Sequence, residues 1–438
     1  MEETPYLCPG ELHPISRPVH LSRLASFYPN CRDCPLRFDT GHLPPQTLAK
    51  LEQNEKRIER KTLFTDEGVK GIYLNELSRK QAHLIAAALA SVLWEQKPLR
   101  GRAQTGDKTR GRPLPMVLVG HDERPASPDL MTGVPAALRR MGCQVVDVGL
   151  ASKPAFWFAG DHLQVHAGIY INGAGCPPAG MALDFVGTGG RPLSRQPRSA
   201  SEKNALTLGR IEAAIADPYP RATRHAGPYR TFRASVPYEA GLWKHFQALE
   251  PLRICLASGS RLVAKTLRRI YETLPGDVLE TPLPTRLRNP LDPKDADVLR
   301  TAAAVRQHQA HLGVLIDDDG QRCAFFDDKG RLLSAGQTMR LFAELRHGDF
   351  PNDPIVLEEF STGELETSLK RSGMRVVRGG TTLAQMSDSL RGHHGSFGGG
   401  ASGRYWFREA FPASDAIIAL AAMLRILSRS KLALSQLV

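Results

Sequence analysis

The sequence predicts an α/β protein assembled from consecutive strand–helix units. Short apolar runs rich in β-branched residues alternate with segments whose apolar residues recur at helical period. That order starts near residue 116 and begins again near residues 252 and 353. The composition is globular, with 42% apolar and 23% charged residues in a chain of 438, long enough for several cores.

Residues 1–60 stand apart through frequent proline, weak apolar periodicity and three of the seven cysteines. Cys31 and Cys34 have the C-x-x-C spacing that lets two thiolates chelate one ion, and Cys8 lies upstream. These three are candidate ligands of a structural Zn²⁺, which takes four. Ordinary reduced cysteines are the alternative, because a second C-x-x-C is lacking. An odd cysteine count at scattered spacing argues against a disulfide framework.

The first unit spans 61–235. Ser78 and Gln81 have capping-box spacing, and Leu77, Leu84, Ile85, Ala88, Leu89, Val92 and Leu93 then share one helical stripe. Strands are expected at Met116–Gly120, from Cys143, and at Val165–Ile171, with a helix over Ser127–Met141. The polar stretch Arg191–Arg230 reads as a long loop with short helical pieces. The second unit, 236–335, has strands at Leu252 and His311 and a helix over Arg261–Thr273. The third, 336–438, has strands at Asp353 and Met374, a helix over Thr362–Ser372 and a final helix from Ser414 to Arg429.

The formal charge of +12 makes a surface that attracts phosphate without choosing its carrier. The densest basic stretch, Lys97–Arg112, is Gly-rich and lacks interleaved aromatics, so it reads as a surface loop, with polyanion contact as the alternative. Nucleic acid is therefore not the expected partner. No apolar run reaches the roughly 18 residues of a membrane span, and the first residues lack a signal-peptide pattern. A cytoplasmic protein with no membrane contact is expected.

An ordered set of motifs carries a resemblance. Phe64–Gly71 (FTDEGVKG), Val119–Arg124 (VGHDER), Val145–Pro154 (VVDVGLASKP), Gly190–Ser194 (GRPLS), Arg288–Pro293 (RNPLDP), Asp317–Arg322 (DDDGQR) and Gly399–Arg404 (GGASGR) follow in sequence. Together they resemble the phosphohexomutases, the phosphoglucomutase/phosphomannomutase superfamily. The resemblance implies three consecutive phosphohexomutase-like α/β/α domains around a central cleft. It also implies a phosphoserine that exchanges its phosphoryl group with a sugar phosphate, assisted by Mg²⁺.

Each functional part departs from the family pattern. The family's T-A-S-H-N-P loop is Asn172–Pro177, N-G-A-G-C-P, so the nucleophile position holds Ala174 and no catalytic residue is assigned. Cys176 lies two residues further on and is expected to point elsewhere, and Asp184 replaces a lysine, where its charge would repel phosphate. The metal loop keeps Asp317 and Asp319 but ends in Gln321. Weak Mg²⁺ binding by these three is one reading, and a solvated acidic turn is the other. The sugar loop retains Ser402, but Gly400 and Arg404 replace its glutamate and histidine. Lys70, Arg124, Ser402 and Arg404 are the candidate substrate-binding residues. Lys70 is a point charge where the family has an arginine fork. The family's small C-terminal phosphate-binding domain is expected to be absent.

Losing a nucleophile costs on the order of 10⁶ in rate in a well-studied hydrolase. The expected function is therefore a catalytically degenerate relative that keeps the fold to bind a sugar phosphate or other small anion, or a protein partner. One alternative is an active phosphoglucomutase/phosphomannomutase-type intramolecular phosphotransferase with an altered site. Another is a nucleic-acid-binding protein. A partner role would call for an apolar patch, for which Tyr405, Trp406 and Phe407 are candidates.

Overall fold

The computed structural model describes residues 6–9, 13–28, 31, 34–58, 62–96, 114–198, 204–216, 225–284, 286–410 and 413–438. The basic stretch Lys97–Arg112 lies outside them. The chain forms two compact units, Met1–Leu63 and Phe64–Val438.

The smaller unit holds helices α1 (Arg17–Ala25) and α2 (Pro45–Ile58). Proline in the first turn suits α1, because the amide it lacks has no helical partner there. The phenol of Tyr6 and the guanidinium of Arg17 both donate to Asp39, and the Tyr6 ring stacks on the buried His20. Cys8, Cys31 and Cys34 are buried as small apolar groups and form no disulfide. Among the described residues, no group of three or more His, Cys, Asp or Glu side chains is placed to hold a metal ion. This corrects the zinc expectation. Cys8 Sγ instead accepts a hydrogen bond from Arg23 at 3.1 Å.

The larger unit holds three sheets. The first contains β1 (Gly68–Ile72), β2 (Met116–His121), β3 (Gln144–Leu150), β4 (Ala167–Asn172), β5 (Gly180–Val186) and β6 (Tyr229–Thr231), in the order β1-β5-β4-β2-β3-β6. Its helices are α3 (Arg79–Glu95), α4 (Ser127–Arg140), α5 (Lys153–His162) and α6 (Leu208–Ala216). Ser78 caps α3, accepting from the Gln81 amide at 3.3 Å, and the helix buries Ile85, Ala88, Leu89, Val92 and Leu93. The expected long loop over Arg191–Arg230 contains α6 and β6 among its described residues.

Helix α7 (Ser235–Trp243) leads into the second sheet. Its strands are β7 (Leu252–Ser258), β8 (Gly276–Pro282), β9 (Leu312–Ile316) and β10 (Cys323–Phe326), ordered β10-β9-β7-β8 around α8 (Arg261–Tyr271) and α9 (Ala296–Gln307). Helix α10 (Ala335–Asp349) precedes the third sheet, made of β11 (Ile355–Leu357), β12 (Val376–Arg378), β13 (Phe397–Gly399) and β14 (Tyr405–Phe407), ordered β12-β11-β13-β14. Helices α11 (Gly363–Arg371), α12 (Leu383–Gly392), α13 (Ala416–Ser430) and α14 (Leu434–Leu437) complete the chain.

One plan repeats three times. Three parallel strands are joined through helices, and the third strand then turns back into an antiparallel partner: β4 into β5, β9 into β10, β13 into β14. These returning strands escape sequence reading because β10 and β14 are only four and three residues long, and Asp184 interrupts the apolar run of β5. Tyr405, Trp406 and Phe407 are the third returning strand, each 2% exposed or less, so they form core and not a patch.

A continuous core runs from the second sheet to the third. Phe342 on α10 sets its ring against Phe325, Phe397, Tyr405 and Phe407, with centroids 5.0–5.8 Å away. Such edge-to-face pairs add to the area term. Phe342→Ala is expected to cost about 3–5 kcal/mol, measured by denaturant unfolding.

Asp415 caps α13 by accepting from the Ile417 and Ile418 amides, and it accepts from the Tyr238 hydroxyl at 2.8 Å. Burial pushes its carboxyl up to about 6 despite those bonds. A raised carboxyl binds its proton more tightly folded than unfolded. Its contribution is therefore present at low pH and is lost as pH rises from about 4 through about 6. Asp415→Asn keeps the cap, so the difference in melting temperature between variant and parent should shift in favour of the variant across that window.

Candidate functional site

All three returning hairpins carry a motif loop at their turn. Loop I runs from Asn172 to Gly180 between β4 and β5. Loop II, Asp317–Arg322, joins β9 to β10. Loop III, Gly400–Arg404, joins β13 to β14. Residues at the ends of parallel strands reach one edge of each sheet, where α/β folds place their sites. Loops II and III meet directly, through a bridge between Arg322 and Arg404 and the Cys323 amide donating to Gly403 at 2.9 Å. Gly320 of loop II accepts from the first amide of α13, Ala416, at 3.0 Å.

Loop I is fixed by its own side chains. Asn172 accepts from the Ala174 amide at 3.2 Å and donates to Asp184 at 2.8 Å. Asp184 faces Tyr170 across the β4–β5 pair and receives the ammonium of Lys153, the first residue of α5, at 2.8 Å. Both partners are buried. The expected repulsion of phosphate by Asp184 is thereby corrected, since its charge is neutralised inside the fold. Gly175, with φ of +66°, makes the tip a turn that a side chain would strain. Ala174 at that tip offers a methyl group. Cys176 turns inward, its Cβ close behind Gly180, and burial pushes its thiol up, which disfavours the nucleophilic thiolate.

Arg124 joins loop I to loop II. It donates to the Gly173 carbonyl at 2.9 Å and lies 3.7 Å from Asp318. The space it fills is made by Gly173, where a Cβ would stand 2.9 Å from its Nε. Asp122 accepts from the Gly173 amide at 2.8 Å and from the Ser127 hydroxyl, while burial pushes its carboxyl up.

Loop II is an acidic turn with an internal cation. Asp317 accepts from Arg288 at 3.3 Å and from the Asp318 amide at 2.8 Å, and Asp318 also accepts from Arg288. Asp319 accepts from the Gln321 amide at 2.8 Å. Burial and the neighbouring Asp319 charge push Asp317 up, with Arg288 opposing. Burial also pushes on Asp319, but Lys153, Arg404 and Arg322 outweigh it and hold that group low. Gln321 donates to the Ser414 carbonyl at 3.4 Å, and its own side-chain oxygen is buried without a hydrogen-bond partner. As a divalent site the loop does not fit. A guanidinium stands among its carboxylates, its third side chain is a neutral amide, and among the described residues no three His, Cys, Asp or Glu side chains are placed to hold a metal ion.

Loop III is held by a residue the sequence did not single out. Glu358, just past β11, accepts from the Ser402 hydroxyl and, at 2.9 Å, from the Ser402 amide. The Arg404 amide donates to Ser402 Oγ at 3.1 Å. A Cβ on Gly400 would come within 2.3 Å of Ser361 Oγ and 2.8 Å of Glu358 Cβ, so Glu358 occupies the room a side chain at 400 would need. Arg404 lies 4.0 Å from Glu67, which accepts from the Leu383 amide at the start of α12 at 3.0 Å. Burial pushes Glu67 up, but Arg404 and the Leu383 amide prevail and hold it low. Lys70 lies on β1 opposite Ala182, close enough for its charge to act on Cys176 and Glu67.

Residues 61–207 match the family model for phosphoglucomutase/phosphomannomutase alpha/beta/alpha domain I, and residues 335–438 match that for domain III. The chain belongs to the phosphoglucomutase/phosphomannomutase superfamily. Among curated members it is 26% identical to the phosphohexose mutases protein of Xanthomonas campestris pv. campestris, over 86% of this chain and 79% of that one. It is 27% identical to a phosphoglucosamine mutase of Symbiobacterium thermophilum, over 86% and 80%. A phosphoglucomutase/phosphomannomutase family protein of Burkholderia thailandensis shares the fold at a TM-score of 0.71 and 20% identity, over 86% of this chain and 78% of that one.

Of the residues the superfamily resemblance pointed to, Arg124, Asp317, Asp319, Gln321, Ser402 and Arg404 lie on or against the joined loops, and Lys70 lies on the neighbouring β1. Lys153, Glu67 and Glu358 went unassigned in sequence. A charged residue inside an apolar run, as Lys153 is in S-K-P-A-F-W-F, is the signal that marks such a position. Lys153→Met leaves Asp184 buried and unpaired, and is expected to cost about 3–5 kcal/mol. Adding Asp184→Asn should recover part of that loss in a double-mutant unfolding cycle.

Proposed function

We propose that this chain is a catalytically degenerate member of the superfamily that keeps the fold to bind a sugar phosphate or another small anion. The observation that carries this reading is Ala174 at the tip of loop I. The superfamily transfers phosphoryl groups through a hydroxyl at that position, and a methyl group has no lone pair to accept one. Cys176 does not substitute, because it is turned inward and kept protonated by burial. Support for binding comes from Lys70, Arg124, Arg322 and Arg404, which bring positive charge to the joined loops. Arg404 stands where the superfamily has a histidine and offers a fork suited to carboxylate or phosphate. Loop I to loop III would then cradle the anion, with no covalent step at the protein. The domain division 61–235, 236–335 and 336–438 belongs to the same proposal.

A second reading is an active phosphoglucomutase/phosphomannomutase-type phosphotransferase with an altered site. The names of the relatives, phosphohexose mutases and phosphoglucosamine mutase, favour it. The two part company in a mutase assay on glucose 1-phosphate and mannose 1-phosphate with Mg²⁺ and a bisphosphate activator. The degenerate reading expects no turnover, a rise in melting temperature with sugar phosphate, and a smaller rise in Arg404→Gln. Turnover that survives repurification and is lost in Arg404→Gln would establish the second reading instead. Ala174→Ser restores only the nucleophile. It is therefore expected to remain inactive in the same assay.

A further inference from the structure

The acidic turn of loop II contains a positive group of its own. The side chain of Arg288 is fully buried, with 0% exposure. Its Nε donates to Asp297 at 3.1 Å, its Nη1 to Asp317 at 3.3 Å and to Asp318, and its Nη2 to the Pro284 carbonyl. All three nitrogens of the guanidinium are engaged, two of them with buried carboxylates. Arg124 reaches Asp318 from the other side at 3.7 Å, and Arg286 reaches Asp297 at 2.8 Å.

The backbone around this group is shaped for it. At Gly259, past the end of β7, a Cβ would stand 2.0 Å from Asp318 Oδ1 and 2.9 Å from Arg288 Nη1. Any larger residue would push the pair apart. The contact thus depends on segments near residues 259, 288, 297 and 317–318, which only the second sheet brings together.

We propose that Arg288 is the built-in counter-cation of the acidic turn, holding Asp317 and Asp318 in the place where a divalent ion would otherwise neutralise them. A guanidinium presents planar donors to several carboxylates at once, carries its charge at every physiological pH, and costs no binding step. It cannot polarise a phosphoryl oxygen as an open-coordinated Mg²⁺ does. The turn is therefore complete without metal. This assignment does not rest on the absence or presence of mutase turnover.

The test uses the full-length protein and the metals alone. Mn²⁺ titration followed by electron paramagnetic resonance, and melting curves in EDTA against millimolar Mg²⁺, are run on the parent, Arg288→Gln, Arg288→Lys and Asp317→Asn. The parent is expected to sequester no Mn²⁺ and to melt at the same temperature in EDTA and Mg²⁺. Arg288→Gln should melt lower, and its melting temperature should then rise with Mg²⁺, because the carboxylates have lost their partner. Arg288→Lys should keep the parent's indifference to metal. If Arg288→Gln does not fold, Arg288→Gln with Asp317→Asn and Asp318→Asn should regain folded protein, since the uncompensated carboxylates are then gone. Stoichiometric Mn²⁺ binding by the parent that Asp317→Asn abolishes would overturn the proposal. So would a triple variant no more stable than Arg288→Gln.

Discussion

Buried charge is the constraint on which the larger unit depends. A carboxylate moved out of water costs several kcal/mol unless a partner meets it in good geometry. Here the partners come from distant segments: Lys153 for Asp184, Arg288 for Asp317 and Asp318, Arg124 for Asp318, Arg404 for Glu67. The Arg288, Arg124 and Arg404 pairs each tie a hairpin loop to another element, and the Lys153 pair ties α5 to β5. The loops are therefore positioned by charge neutralisation, while the sheets beneath them are positioned by apolar burial.

That division of labour explains how the site can change without loss of the fold. The core rests on the aromatic cluster around Phe342 and on apolar residues of β2, β7, β9 and β11, and includes neither residue 174 nor residue 400. A serine replaced by Ala174, or a glutamate by Gly400, leaves those contacts intact. The polar side is less tolerant, because each substitution there must keep a partner for what remains. Asp184 stands where the superfamily has a lysine, and Lys153 supplies the matching charge. Gly400 lacks the superfamily's glutamate, and Glu358 fills the adjacent space and binds Ser402. Such replacements keep buried groups satisfied.

The repeated plan also sets where function can reside. Three parallel strands followed by an antiparallel return put a short loop at the same edge of each sheet. Loops II and III are fused by the Arg322–Arg404 bridge, and Arg124 ties loop I to loop II. An anion held there would be read by three segments of one chain.

The sequence by itself determined the strand and helix order, because apolar period is a local property. The stripe of α3, the cap at Ser78 and the runs that became β2, β7 and β9 were legible for that reason. It also determined the order of motifs, and with it the superfamily and the alanine at position 174. The returning strands β5, β10 and β14 were not legible, since β10 and β14 are too short to carry a pattern and Asp184 breaks the apolar run of β5. Nor were the ion pairs, because a lysine at 153 and an aspartate at 184 have no local sign of meeting. Cys31 and Cys34 had chelating spacing but, with Cys8, became core, and Tyr405–Phe407, candidates for a partner-binding patch, became a buried strand. Only the tertiary structure decided these, since burial and charge pairing depend on which distant segments the fold brings together.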